Sequence, residues 1–159
     1  MSPTKSELFF VVPGRPIPAA RMTQRSKFAS ARAKRALEFQ QFVAWCARAA
    51  AAGPAGPGPA ALPLRGPVEL TCRFFFRDGR HGDLSNLVKA IEDGLQYGGV
   101  IENDRQVVRY GAGTGIYFDD EERTEVKLRP IDLCPRKEVR HEVGSHAVGK
   151  RKVRMAAGS

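Results

Sequence analysis

Acidic residues occupy two neighbouring segments of an otherwise basic chain. Asp83 opens a segment that also carries Lys89 and Asp93, and Asp104 follows in a second acidic turn a few residues downstream. Two carboxylates that converge on one point repel each other unless they bind a cation or share a proton. Magnesium prefers oxygen ligands of this kind and keeps several waters that a phosphate oxygen can replace. The pattern therefore indicates a metal site that acts on a polyanion.

Residues 83–95 have the period of an amphipathic helix. At about 100° per residue, the apolar residues fall on one side of that helix: Leu84, Leu87, Val88, Ile91 and Leu95. Asn86, Lys89 and Asp93 lie on the opposite side, with Asp83 at the N-terminal edge of that polar stripe. The spacing thus predicts a helix that buries its apolar side and presents its charged side.

Several of these residues also have an ordinary structural interpretation. Aspartate is a preferred N-cap, so Asp83 alone fits helix capping as well as metal binding. Asp93 lies roughly 15 Å further along the axis, too far to share a metal ion with Asp83, and we interpret it as a surface ion-pair partner of Lys89. Lys89 fits either a structural charge or a cation that stabilises developing phosphate charge. Gly94 is interpreted as a stop signal for the helix.

The composition favours an anionic partner and excludes some other classes. The chain has 159 residues and a formal net charge of +9, which favours phosphate-bearing partners. Its three cysteines stand far apart, without the spacing of a zinc site or of a disulfide framework. The short apolar runs are broken by glycine and proline, so we expect no membrane segment and a cytoplasmic location.

Hydrophobic alternation and turn residues predict an α/β (α+β) chain that forms a single compact domain over residues 1–130. Strands are expected at residues 8–12, 67–76, 106–110, 115–118 and 123–128. A first helix is expected from about Ser30, with Leu37, Phe39, Phe42 and Val43 on its apolar side. Residues 53–66 predict a flexible Gly/Pro/Ala connector without regular structure, and residues 131–159 predict a basic, disordered tail.

Taken together, these motifs resemble the RusA-type Holliday-junction resolvases, small dimeric α/β endonucleases of bacteria and their phages. That family has an Asp-x-Asp-Asn-x-x-Lys helix opening, an Asp-x-Leu ending and an acidic pair before a Gln-Val strand. Here residues 83–89 are DLSNLVK, residues 93–95 are DGL and residues 103–107 are NDRQV. The PGRPIP segment at residues 13–18 resembles the start of the family, and the likeness covers roughly residues 7–129.

The resemblance implies a mixed β-sheet with two main helices and magnesium-dependent cleavage of branched DNA, with manganese as a substitute. A homodimer would make paired nicks at a four-way junction during recombination and repair, without a small-molecule cofactor. The family roles carry over to Asp83 and Asp104 as metal-binding carboxylates and to Lys89 as an active-site cation, for attack of water on a phosphodiester. Basic residues are expected to hold DNA phosphates: Arg15, Arg21, Arg25, Lys27, Lys34, Arg35, Arg80 and Arg105.

The sequence departs from the family pattern at two positions. Ser85 stands where the second aspartate of the helix opening is usual, and Asn103 stands where the first acid of the loop pair often occurs. Both replacements keep an oxygen and remove a negative charge, and serine is a weak magnesium ligand. Asp78 and Glu102 are the nearest carboxylates that can substitute. With Asn86 and Asp93 on the helix, these residues complete the auxiliary set of the expected site.

Two rival hypotheses remain, the first of which follows from these departures. The first is a catalytically weakened RusA-like protein that binds branched DNA without cleaving it. The retained Asp83, Lys89 and Asp104 favour an active endonuclease over this first rival. The second is a basic scaffold or partner-binding protein without a nucleic-acid role, which the strong basicity outside the acidic patch disfavours. The sequence does not locate the dimer interface, for which exposed phenylalanines of the 74–76 run are the suspected residues.

Overall fold

A computed structural model describes residues 7–20 and 31–133 of the chain. Four residues named above, Arg21, Arg25, Lys27 and Ser30, lie outside the described residues, as do residues 134–159 of the expected tail.

Five strands form one mixed β-sheet: β1 (Leu8–Pro13), β2 (Val68–Phe76), β3 (Val107–Tyr110), β4 (Gly115–Phe118) and β5 (Arg123–Pro130). The strand order is β1-β5-β2-β3, and β4 also pairs with β2. β5 is antiparallel to both β1 and β2, whereas β3 and β4 run parallel to the first and second halves of β2. Each strand overlaps its predicted range, and the mixed sheet is confirmed.

The central strand β2 alternates buried and accessible side chains along its whole length. Phe74 and Phe76 face the core and are almost fully buried, because period-two alternation from Val68 places them on the inner face. Phe75 faces the other way, and the guanidinium carbon of Arg123 lies 3.9 Å from the centre of its ring. The suggestion that phenylalanines of this run are exposed at a dimer interface is therefore wrong for Phe74 and Phe76.

Two helices pack on the sheet, α1 (Ala31–Ala52) and α2 (Leu84–Tyr97), which confirms the predicted pair of main helices. Leu87, Ile91 and Leu95 of α2 are fully buried in the core, as the helical period predicts. Two residues assigned to the apolar sides are exposed instead, Leu84 at 37% and Phe42 at 38%. Among the described residues, no helix is long and apolar enough to cross a membrane.

Glycine allows the two helices to approach closely. A Cβ atom built on Gly94 would lie 2.7 Å from Cγ1 of Val43, and one on Gly98 would lie 2.9 Å from Cβ of Ala44. Distances this short are not tolerated in well-packed interiors. Gly94 lies inside α2 rather than at its end, so its predicted role as a stop signal is wrong and its role is helix packing.

The connector between α1 and β2 contains more structure than the sequence predicts. A 3-10 turn spans Pro59–Ala61, and Leu64 forms a parallel β-bridge with Ile101. Leu64 is buried and belongs to the hydrophobic core. This segment therefore lies against the loop that follows α2 and supports it.

Candidate active site

The side chain of Lys89 lies between two carboxylates. Its Nζ atom is 2.9 Å from Oδ2 of Asp104 and 3.0 Å from Oδ1 of Asp93, one helical turn further along α2. All three side chains are partly exposed, so they are accessible to a large ligand. The predicted Lys89–Asp93 ion pair is confirmed. The fold adds Asp104 to the pair, and we name these three residues the Lys89 cluster.

Mutual hydrogen bonding keeps this cluster charged at neutral pH. The hydrogen bond from Lys89 holds the pKa of the Asp104 carboxyl below its usual value. The hydrogen bonds to Asp104 and then to Asp93 raise the pKa of Lys89 well above its usual value. The cluster therefore presents a permanent ammonium next to anionic oxygens, which is chemistry suited to a phosphodiester and its counter-ion.

A capped 3-10 turn, Asp104–Gln106, presents the Asp104 carboxylate. Oδ1 of Asn103 accepts a hydrogen bond from the Arg105 amide at 2.9 Å, and Oε1 of Gln106 accepts one from the Asn103 amide at 3.1 Å. This reciprocal arrangement is a capping box. Asn103 thus has a structural function in the turn that carries Asp104.

Gln106 also fastens this turn to the connector. Its Nε2 donates to the carbonyl oxygens of Leu64 at 2.8 Å and Gly66 at 2.9 Å, while its Oε1 also accepts from the Glu102 amide at 2.7 Å. Sequence reasoning missed this role. The three-residue spacing between Asn103 and Gln106 was the signal for the capping box, but nothing local indicates the bonds to residues 64 and 66.

Asp83 occupies the N-cap position of α2 without forming a side-chain capping hydrogen bond. The capping interpretation of its carboxylate is therefore not supported, although its carbonyl accepts a bond from the Leu87 amide at 3.0 Å. Ser85 and Asn86 are exposed on the first turn of the helix. The Ala19 amide donates to the Asn86 carbonyl at 2.9 Å, so the segment after β1 crosses the beginning of α2.

Arg15 is held in a separate cluster near the β2–α2 connection. Its guanidinium contacts Glu122 at 2.6 Å, Asp78 at 3.5 Å and the carbonyl oxygen of Arg80. The Arg80 amide, and then the charge of Arg15, hold the pKa of the Asp78 carboxyl below its usual value. The structure thus pairs Asp78 with Arg15 rather than with the Lys89 cluster.

Other basic residues expected to bind DNA remain accessible. Lys34 and Arg35 are exposed on the first turns of α1, and Arg80 and Arg105 are exposed in the connections that flank α2. Glu102 is also exposed, immediately before the capped turn. The long cationic side chains of the four basic residues are suited to contact with a phosphate backbone.

A buried carboxyl lies next to the Lys89 cluster, and sequence reasoning missed it. Glu92 is only 8% exposed, and its Oε1 accepts a hydrogen bond of 2.5 Å from the Tyr110 hydroxyl. Burial raises the pKa of Glu92, and burial together with the contact to Glu92 raises the pKa of Tyr110 to about 12. The available signal was the helical period, which places Glu92 at the edge of the apolar stripe.

The carboxylates around the Lys89 cluster supply oxygen donors of the kind that a divalent metal ion binds. Among residues 7–20 and 31–133, no group of three or more His, Cys, Asp or Glu side chains is placed to hold one. Asp83 and Asp104 nevertheless offer oxygen donors of the type that Mg²⁺ prefers, and Mg²⁺ commonly uses one or two carboxylates with water and substrate phosphate. The donor chemistry of these two carboxylates therefore fits magnesium, with water and substrate phosphate as its further ligands.

The chain matches a protein-family model described as Endodeoxyribonuclease RusA over residues 13–129. The protein belongs to the RusA endodeoxyribonuclease family. The match contains both helices, β2 to β4, most of β5, the Lys89 cluster and the Arg15 cluster. No curated protein matches the chain. The family resemblance inferred from residues 83–107 is thus confirmed at the level of the family.

Proposed function

We propose that this RusA-family protein is a magnesium-dependent endonuclease that resolves Holliday junctions or other branched DNA by paired nicks. The observation that carries the proposal is the position of Lys89, whose ammonium is held at the surface by Asp93 and Asp104. Half-exposed ion pairs contribute little to the free energy of folding, so these contacts hold the Lys89 ammonium in place without making it a major source of stability. It is well suited to a phosphodiester.

Each residue of the site has a proposed task. Lys89 offsets the negative charge that develops on the attacked phosphate. Asp83 and Asp104 would hold the metal ion, which when bound supplies positive charge and lowers the pKa of water. Asp93 orients Lys89 from one turn further along α2, where it forms the second ion pair. Asn103 and Gln106 maintain the turn that presents Asp104.

DNA binding is assigned to the exposed basic residues around the site. Lys34 and Arg35 on α1, with Arg80 and Arg105 beside α2, are proposed to contact phosphates. Such contacts release counter-ions, so affinity for the junction should fall steeply as salt concentration rises. A homodimer would offer two sites, one for each strand that is cut, and would act in the cytoplasm on chromosomal or phage DNA.

One observation favours a second candidate function. Ser85 replaces a carboxylate of the family pattern, and the described residues contain no group of three metal-binding side chains. Weak metal binding would leave a protein that binds branched DNA without cutting it. The two candidates share a DNA-binding surface and differ only in cleavage.

The test is a cleavage assay on a synthetic four-way junction, with magnesium, with manganese and without metal. Paired symmetric nicks that require metal and disappear in Asp83→Asn and Asp104→Asn support the endonuclease. Asp119→Asn is the matched control, since Asp119 forms an ion pair with Arg123 and none with the Lys89 cluster. Salt-sensitive binding without nicks in either metal would establish the second candidate, and no binding at low salt would overturn both.

A further inference from the structure

Glu92 is the only buried charged side chain among residues 7–20 and 31–133. It lies on α2, three residues after Lys89 and directly before Asp93. A buried carboxyl is costly unless it is hydrogen-bonded, and here the Tyr110 hydroxyl provides that bond at 2.5 Å. A leucine would fill such a position at lower cost to folding, so the presence of a carboxyl calls for another explanation.

The Glu92–Tyr110 hydrogen bond joins the same two parts of the fold as the active-site ion pair. Tyr110 is the last residue of β3, which follows directly from the 3-10 turn that carries Asp104. Glu92 lies on the helix that carries Lys89. The fold thus links α2 and the turn–β3 segment twice, once at the surface through Lys89 and Asp104, and once below it through Glu92 and Tyr110.

We propose that Glu92 and Tyr110 are positioning residues that fix the placement of Lys89 relative to Asp104. The inference rests on the proposed function of the Lys89 cluster. A hydrogen bond between two rigid elements restricts their sliding, and a misplacement of about 1 Å in an active site can lower the rate about 100-fold. Glu92 and Tyr110 therefore act on catalysis through Lys89 and Asp104, without touching the DNA phosphate themselves.

The variants that test this role are Glu92→Leu, Glu92→Gln, Tyr110→Phe and the double variant Glu92→Leu/Tyr110→Phe. We expect the leucine, phenylalanine and double variants to lower kcat for junction cleavage about 10- to 100-fold while KM changes less than about threefold. Glu92→Gln still accepts the tyrosine hydrogen bond and should stay within about threefold of the unmodified protein. Tyr97→Phe, an exposed tyrosine at the end of α2, is the matched control.

Thermal unfolding separates positioning from stability. The double variant replaces both partners by apolar groups, a change that is nearly neutral for folding, so its melting temperature should equal or exceed that of the unmodified protein. A low kcat in such a stable variant, with rescue by Glu92→Gln, supports the inference. The inference is also supported if Glu92→Leu, Tyr110→Phe and the double variant all lower kcat by the same factor. Equal effects would mean that each variant removes the same Glu92–Tyr110 hydrogen bond.

Two results would overturn the inference. One is cleavage at an unchanged rate by the leucine and phenylalanine variants of a protein that itself cleaves the junction. The other is a loss of kcat that follows a loss of melting temperature across the four variants, because that pattern describes a purely structural pair. Failure of the unmodified protein to cleave any junction would instead count against the proposed function.

Discussion

Replacement of Gln106 by alanine is the perturbation whose cost follows most directly from the structure. The side chain makes four hydrogen bonds, to the amides of Glu102 and Asn103 and to the carbonyls of Leu64 and Gly66, between 2.7 and 3.1 Å. Alanine removes all four at once. The turn of Asp104 then loses half of its capping box and its attachment to the connector.

These four hydrogen bonds determine the expected loss in the free energy of unfolding. A protein hydrogen bond contributes about 0.5–1.5 kcal/mol net, and the lower half of that range applies because most of these groups are reached by water. Gln106→Ala should therefore lower the free energy of unfolding by about 2–4 kcal/mol. For a domain of this size, that corresponds to a fall in melting temperature of about 5–12 °C. Cleavage should fall as well, since Asp104 loses its fixed position.

The assay is thermal and urea-induced unfolding of Gln106→Ala beside Gln96→Ala. Gln96 is exposed on α2 and makes no side-chain hydrogen bond within the described part of the chain, so its replacement should shift the melting temperature by less than about 2 °C. A shift in Gln106→Ala as small as that of Gln96→Ala would refute the reasoning, because it would mean that these four bonds do not hold the turn.

Three further predictions concern packing, pH and metal binding. Gly94→Ala forces a methyl group against the first helix and should lower the free energy of unfolding by about 1–3 kcal/mol in urea, whereas no change would contradict the close contact. Burial raises the pKa of Glu92 in the folded protein. The contribution of Glu92 to stability is therefore greatest below its unfolded-state pKa and is lost as pH rises through its folded-state pKa. Glu92→Gln should therefore gain stability relative to the unmodified protein as pH rises above the ordinary glutamate pKa, and a difference that stays constant with pH would contradict the raised pKa. A cation that binds Asp104 competes with the ammonium of Lys89, so Lys89→Met should bind Mn²⁺ about threefold or more tightly by calorimetry, with Arg105→Met as a control of equal charge that changes less. Equal affinities in the Lys89→Met and unmodified proteins would contradict competition.

Local patterns in the sequence are sufficient to predict the helices and strands and one contact of the candidate site. Strand alternation and the helical period predict the strands and α2, and the Lys89–Asp93 pair follows from an i,i+4 spacing. The same alternation, followed from Val68, would have placed Phe74 and Phe76 inside.

The remaining contacts of the site depend on the register of distant segments. Gln106 meets Leu64 across 42 residues, and Arg15 meets Glu122 across 107. Glu92 meets Tyr110 only because α2 packs beside β3. No periodicity within one element encodes such pairings, which arise when the sheet fixes where each loop lies.

Lys89 and Asp104 are proposed to form the catalytic centre of a junction-cleaving enzyme. The most direct test of this claim is the single-turnover rate of nicking of a four-way junction in magnesium by Lys89→Ala, measured together with the Kd for that junction. The control is Lys127→Ala, which removes an exposed lysine of β5 that pairs with Glu7. We predict that Lys89→Ala lowers the nicking rate about 100-fold or more, with a Kd within about threefold of the unmodified protein and a control that behaves normally. An equal loss of binding and cleavage in Lys89→Ala, or undiminished nicking, would contradict the claim.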